Sequence, residues 1–177
     1  MHILDIAQNS IRAKASEIII GIDEKPETDE YIITIEDNGC GMDDSELAKA
    51  IDPFYTSRTT RKVGLGLSLL KQNAENTGGH FSISSEKNKG TKLVAIFGFN
   101  NIDRPVLGDI TGSLMILFSS SVEINFVYSH KTPSGEFTVK TSEINEMLDG
   151  VPIHNREIRS FLTDYLSTNL KQIQISE

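Results

Sequence analysis

Between Ile3 and Phe99 the apolar period switches from that of a helix to that of a strand and back in a set order, and few folds accept that order. The segment "ILDIAQNSIRAKA" predicts a helix with Ile3, Leu4, Ala7, Ile11 and Ala15 on one face, while Asp5, Asn9 and Arg12 form a polar stripe at i, i+4, i+7. "EIIIGID" and "EYIITIED" read as two strands of a hairpin joined by "EKPETD". "DDSELAKAID" then predicts a short helix, for which Asp43, Asp44 or Ser45 can serve as N-cap. After the basic run "PFYTSRTTRKV", helical spacing resumes from Leu65 through Leu69, Leu70, Asn73 and Ala74, and Gly78-Gly79 supplies a helix stop. "HFSISSE" and "TKLVAIFGF" make a second hairpin around "KNKG", where Asn88 or Gly90 takes positive φ. Antiparallel hairpins with helices gathered on one side predict an α+β fold, a two-layer α/β sandwich.

A joint without apolar period, "NNIDRP", divides the chain into residues 1–101 and a small α+β extension, 102–177. The extension predicts a helix near Gly108 to Ser119 and a hairpin of "VEINFVYSH" and "EFTVKT". Two further helices follow, the last from about Asn155 to Lys171, with Ile158, Phe161, Leu162, Tyr165 and Leu166 on one side. Phe126, Tyr128 and Phe137 alternate along strands as a packed sheet face does. No functional motif appears in this part, whose expected work is partner contact, packing against the first part, or dimerisation. His2, His80, His130 and His154 lack metal-ligand spacing, and His130 and His154 read as surface residues.

A net charge of -8, with Lys and Arg never forming a long block, argues against a nucleic-acid backbone as ligand. No apolar run approaches the roughly 20 residues that cross a bilayer, so no membrane role is expected. Met1 leads straight into a helical pattern without a secretory leader, and the single cysteine, Cys40, suits a reducing compartment; the expected location is cytoplasmic. Cys40 itself reads as a small filler in a turn. The basic residues that do cluster, Arg58, Arg61 and Lys62, stand directly before Gly64-Leu65-Gly66-Leu67 at a helix start, which suggests an anion site.

Each piece of that constellation suits a nucleoside triphosphate. A helix start offers unpaired N–H groups and a positive dipole end for phosphate. Asp37, at the end of a strand, is an acceptor for the exocyclic amine of adenine, and Gly39 and Gly41 leave room for a flat ring. The Asn9 carboxamide suits Mg²⁺, and Asp5, one turn earlier, can orient or deprotonate an attacking group.

These four stretches resemble the sequence boxes of the GHKL superfamily of ATP-binding domains, which includes gyrase, large heat-shock chaperones, histidine kinases and mismatch-repair ATPases. "DIAQN" resembles the N box, "DNGCGM" the G1 box, "PFYTSR" the approach to the ATP lid and "GLGL" the G2 box, over residues 1 to about 99. The resemblance implies the Bergerat sandwich. It implies Asn9 as Mg²⁺ ligand and Asp37 as adenine contact, with Gly39, Gly41 and Met42 around the base. Gly64, Leu65, Gly66 and Leu67 would border the phosphates, Arg12, Arg58 and Lys62 would meet them, and the Thr91 hydroxyl would lie beside Asp37. The family usually carries Glu where this chain has the shorter Asp5, the residue expected to be catalytic. The strand that usually precedes the first helix has no counterpart, which fits a minimal domain, a truncated chain, or an edge completed by a partner. The implied function is ATP-dependent phosphoryl transfer to a residue on a protein partner, as in histidine kinases or anti-sigma serine kinases, with ATP and Mg²⁺ as cofactors. A nucleotide-gated binding switch and a GHKL-type ATPase are the alternatives, and self-association is open. A mismatch-repair-like clamp fits less well, given the acidic charge and the lack of a long transducer segment.

Overall fold

The computed structural model describes residues 3–52 and 65–174. Its centre is one six-stranded mixed sheet in the order β3-β4-β2-β1-β5-β6. The strands are β1 (Glu17–Lys25), β2 (Glu30–Asp37), β3 (His80–Glu86), β4 (Gly90–Gly98), β5 (Asn125–Thr132) and β6 (Gly135–Lys140). Both predicted hairpins of the first part are present, and β2 pairs antiparallel with β4 to join them. The alternation is that of a sheet with one covered face. Ile18, Ile20 and Ile22 of β1, Tyr31, Ile33 and Ile35 of β2, and Leu93, Ala95 and Phe97 of β4 point into the core and are at most 2% exposed.

Against that face pack α1 (Ile3–Arg12), α3 (Leu65–Asn76), α5 (Thr141–Met147) and α6 (Arg156–Ile173), while α4 (Ile110–Phe118) bridges α1 and α6 and α2 (Asp44–Ile51) leans on α3. The sandwich is the predicted two-layer α+β arrangement. Of the three candidate caps for α2, Asp43 is the one used: it accepts from the Glu46 N–H while the Glu46 carboxylate returns to the Asp43 N–H. In the β3–β4 turn both Asn88 and Gly90 adopt positive φ. The first helix is shorter than its sequence pattern. It ends at Arg12, Lys14 turns the chain at φ 58°, and Ala15 is buried beyond the helix. Its buried face is Ile3, Ile6, Ala7 and Ser10, with Leu4 and Ile11 only partly covered.

Residues beyond the joint extend the same sheet. β5 runs parallel to β1, from Glu17↔Asn125 to Asp23↔Lys131, and so continues the sheet past the first hairpin. Phe126 and Tyr128 are fully buried, as the alternation predicts. His130 differs from its expected surface place: it lies on the same inward face and is 4% exposed. Burial is tolerated because both ring nitrogens find partners. Nε2 lies 2.8 Å from Glu24 Oε1 and Nδ1 lies 3.0 Å from the Tyr128 hydroxyl. A carboxylate accepts only, so Nε2 donates to Glu24, and in a neutral ring Nδ1 accepts from Tyr128.

Candidate functional site

Where β2 ends, its inward side opens into a cavity of about 580 Å³ walled by α1, β2, β4, the turn after β2 and Leu67 of α3. Ile6, Ile35, Ile83, Leu67 and Leu93 make it mostly apolar, and Asn9, Arg12, Asp37 and Thr91 bring polar groups into the wall. A concave, mostly apolar cavity with a few convergent polar groups is the usual form of a small-ligand site.

Asp37 is fixed at both oxygens. Oδ2 accepts from the Ser10 hydroxyl at 2.6 Å, and Oδ1 accepts from the Gly39 N–H at 2.9 Å. A carboxylate has about four lone-pair directions, so two such bonds set its orientation and leave capacity for a ligand donor. Thr91 stands opposite Asp37 in the β2–β4 register, and its hydroxyl lies 2.9 Å from Ser85 Oγ. Ser85 also receives the Met42 N–H at 2.8 Å and donates to the Gly90 carbonyl, so one side chain of β3 ties the turn to the floor.

The turn Asn38–Met42 is wedged between α1 and the β3–β4 hairpin. Asn38 Oδ1 accepts from the N–H groups of Ser16 and Glu17, the Cys40 N–H donates to the Ala13 carbonyl, and the Asn88 N–H donates to the Cys40 carbonyl. That wedge explains two glycines. A Cβ at Gly39 would stand 2.7 Å from the Ala13 oxygen, and one at Gly41, where φ is +59°, would stand 2.0 Å from the Glu86 oxygen. Their need for glycine comes from close backbone approach. On the outer side, Lys87 Nζ lies 2.8 Å from Asp43 Oδ2. Its ammonium holds the Asp43 carboxyl below the usual range, and Asp43 in turn holds Lys87 above its own.

Along α1, Asn9 and Arg12 both reach the cavity, and Arg12 Nη1 donates to Asn9 Oδ1 at 3.0 Å. Asp5 is exposed one turn before Asn9, close to the start of α3: a Cβ at Gly66 would lie 3.6 Å from Asp5 Cβ. Asp5, Asn9, Arg12, Asp37, Gly39, Gly41, Met42, Gly66, Leu67 and Thr91 therefore gather at one end of the sheet. Leu65 begins α3, while Arg58, Arg61, Lys62 and Gly64 lie outside the described residues. Ser10 and Ser85 were not singled out in the sequence. Ser10 had a signal: it stands three residues after Ala7 on the buried stripe, where a hydroxyl needs a partner.

Together with the one-sided helix layer, this geometry is that of an α+β domain with a small-ligand cavity at one end of its sheet. Residues 2–101 match the family described as histidine kinase-, DNA gyrase B-, and HSP90-like ATPase, and the chain belongs to that family. A putative sensor protein of Shewanella frigidimarina is 34% identical over 103 residues, covering 57% of this chain and 16% of that protein. An anti-sigma F factor of Clostridium perfringens is 37% identical over 67 residues, covering 37% of this chain and 44% of the factor. The chain thus spans a sixth to under half of the length of these relatives. A solved N-terminal domain of a DNA repair protein shares the fold with a TM-score of 0.52 at 20% identity, over 76% of this chain and 49% of that one. That share exceeds the family match, so the likeness of fold reaches past residue 101. Among the described residues no helix is long and apolar enough to cross a membrane.

Proposed function

We propose that the chain binds Mg-ATP in the cavity beside Asp37 and transfers the γ-phosphoryl group to a residue on a protein partner. The observation that carries this reading is the doubly anchored Asp37 carboxylate, aimed into an apolar slot of nucleotide size. Adenine fills the slot between Ile35, Leu93 and Met42 and donates its amine to Asp37, with Thr91 alongside. The triphosphate runs toward Arg12 and the start of α3, where Gly66 admits close approach and the helix N-terminus favours anions. Gly64, Leu65, Arg58 and Lys62 are assigned to the phosphates on sequence alone.

The donor set fits magnesium. Asn9 offers a neutral carboxamide oxygen in the cavity wall, already engaged by a cation, Arg12, and Mg²⁺ needs few protein ligands beyond phosphate and water. When bound, the ion neutralises charge on the phosphate oxygens. Asp5, beside Gly66 at the start of α3, accepts the proton as the acceptor oxygen or nitrogen bonds to the γ-phosphorus and the bond to the β-phosphate oxygen breaks, releasing ADP. The sensor and anti-sigma relatives support a protein as the acceptor.

A nucleotide-gated binding switch is the second reading, favoured by the short reach of Asp5. Labelled ATP separates the readings. Label transferred to protein, acid-labile on histidine or acid-stable on serine, and lost in Asp5→Asn with ATP still bound, supports the kinase. Phosphate release without labelled protein would make it an ATPase, and tight binding with neither would make it a switch.

A further inference from the structure

Strand β6 closes one end of the sheet, and among the described residues its outer side meets no further strand. Phe137 and Val139 face the core, while Glu136 and Thr138 face outward and are exposed. The register against β5 is unbroken from Val127↔Lys140 to Thr132↔Gly135, and the strand holds no proline. The edge carries no bulge or proline, and its only charged side chains are Glu136 and Lys140, near the two ends of the strand.

Helix α6 lies over this edge. The Tyr165 ring meets Phe137 edge-on with centroids 5.8 Å apart, and Phe161 stacks on Tyr165 at 6.4 Å with the planes 14° apart. Phe161 is 65% exposed and Tyr165 41%, and among the described residues these are the exposed aromatic side chains. The opposite edge, β3, turns His80, Ser82, Ser84 and Glu86 outward and carries no lysine or arginine to match an acidic partner.

We propose that the β6 edge is a homodimer interface, formed by antiparallel pairing of β6 with β6 of a second copy about a two-fold axis at Thr138. Opposite residues in an antiparallel pair lie on the same face, so only some registers keep the apolar side continuous. Centred on Thr138, Phe137 meets Val139 of the second copy and Glu136 meets its Lys140, twice by symmetry. Centring on Phe137 or Val139 leaves those charges unmatched, and half-step registers set inward residues against outward ones. An isologous contact must be self-complementary in this way. In the monomer Lys140 Nζ holds Glu143 at 2.9 Å, a contact exposed enough for the lysine to turn away. The same two-fold brings both α6 helices over the joined sheet, where Phe161 and Tyr165 of each copy find cover.

Sedimentation velocity of the full chain over a concentration series tests this independently of nucleotide binding. The wild type is expected to dimerise. Glu136→Lys and Lys140→Glu each place like charges opposite one another and weaken the dimer on the order of tenfold. An equimolar mixture of the two variants re-forms a tight heterodimer, because an edge carrying lysine at both positions then faces an edge carrying glutamate at both. Phe161→Asp, on an exposed helix face, lowers dimerisation without changing circular dichroism. A wild type that stays monomeric throughout overturns the proposal. So do charge variants that dimerise like wild type, or a mixture no tighter than either variant alone.

Discussion

Tyr31 and Tyr128 are both buried phenols, and their hydroxyls meet different circumstances. The Tyr128 hydroxyl is hydrogen-bonded to His130, whereas the Tyr31 hydroxyl has no hydrogen-bond partner among the described residues. Arg104 stacks 4.6 Å above the Tyr31 ring without supplying one. Burial, reinforced by Glu24, pushes the Tyr31 phenol well above its ordinary value, so it stays neutral. Removing an unsatisfied buried hydroxyl is favourable, and removing a satisfied one strands its partner. Tyr31→Phe is therefore expected to raise stability by about 1 kcal/mol and Tyr128→Phe to lower it by about 1–3 kcal/mol. Urea midpoints at constant slope check both. That Asp37, Asn9, Gly39 and Gly41 stand together could be read from residue type and local spacing. The role of Ser10 could not, since its partner lies 27 residues away. His130 was misread for the same reason: its acceptor, Glu24, lies 106 residues distant and only the fold brings them together.

At the scale of elements, helices and hairpins could be read from period and turn chemistry, whereas the pairing of β1 with β5 could not. A fully apolar run such as Ile18–Ile20 shows that a strand is buried without saying what lies beside it. The capped start of α2 and the β3–β4 turn are clamped by Asp43 and Lys87, and that clamp has a pH window. Lys87 lowers the Asp43 carboxyl from its usual 3.8, so this contribution is present above that value and is lost as acid titrates Asp43 through its lower folded value. Asp43 raises Lys87 above its usual 10.5, so the lysine's contribution is full below that value and disappears as alkali titrates it through its higher folded value. Both groups are exposed, so the effect is small and screened by salt. The difference in melting temperature between wild type and Lys87→Met is expected to be present at neutral pH and to close in strong acid. A difference that persists there would mean the clamp is not electrostatic.

For the whole molecule, the two parts separated in sequence share one sheet. Ending the chain at Asn101 would remove β5 from the β1 edge and strip away α4, whose Leu114, Met115, Leu117 and Phe118 are each at most 2% exposed. Each such side chain contributes roughly 1.5–3 kcal/mol, so the loss rivals the roughly 5–15 kcal/mol that holds a typical domain. A 1–101 fragment is expected to lack dispersed amide NMR signals, and a well-dispersed spectrum would show that the first part folds alone. In the proposed function Asp37, oriented by Ser10 and Gly39, recognises the base of ATP. Calorimetry with Mg-ATP on the full chain tests it most directly. Wild type is expected to bind, and Asp37→Asn to lose roughly ten- to hundredfold in affinity. No heat from wild type, or equal affinity after the substitution, would contradict it.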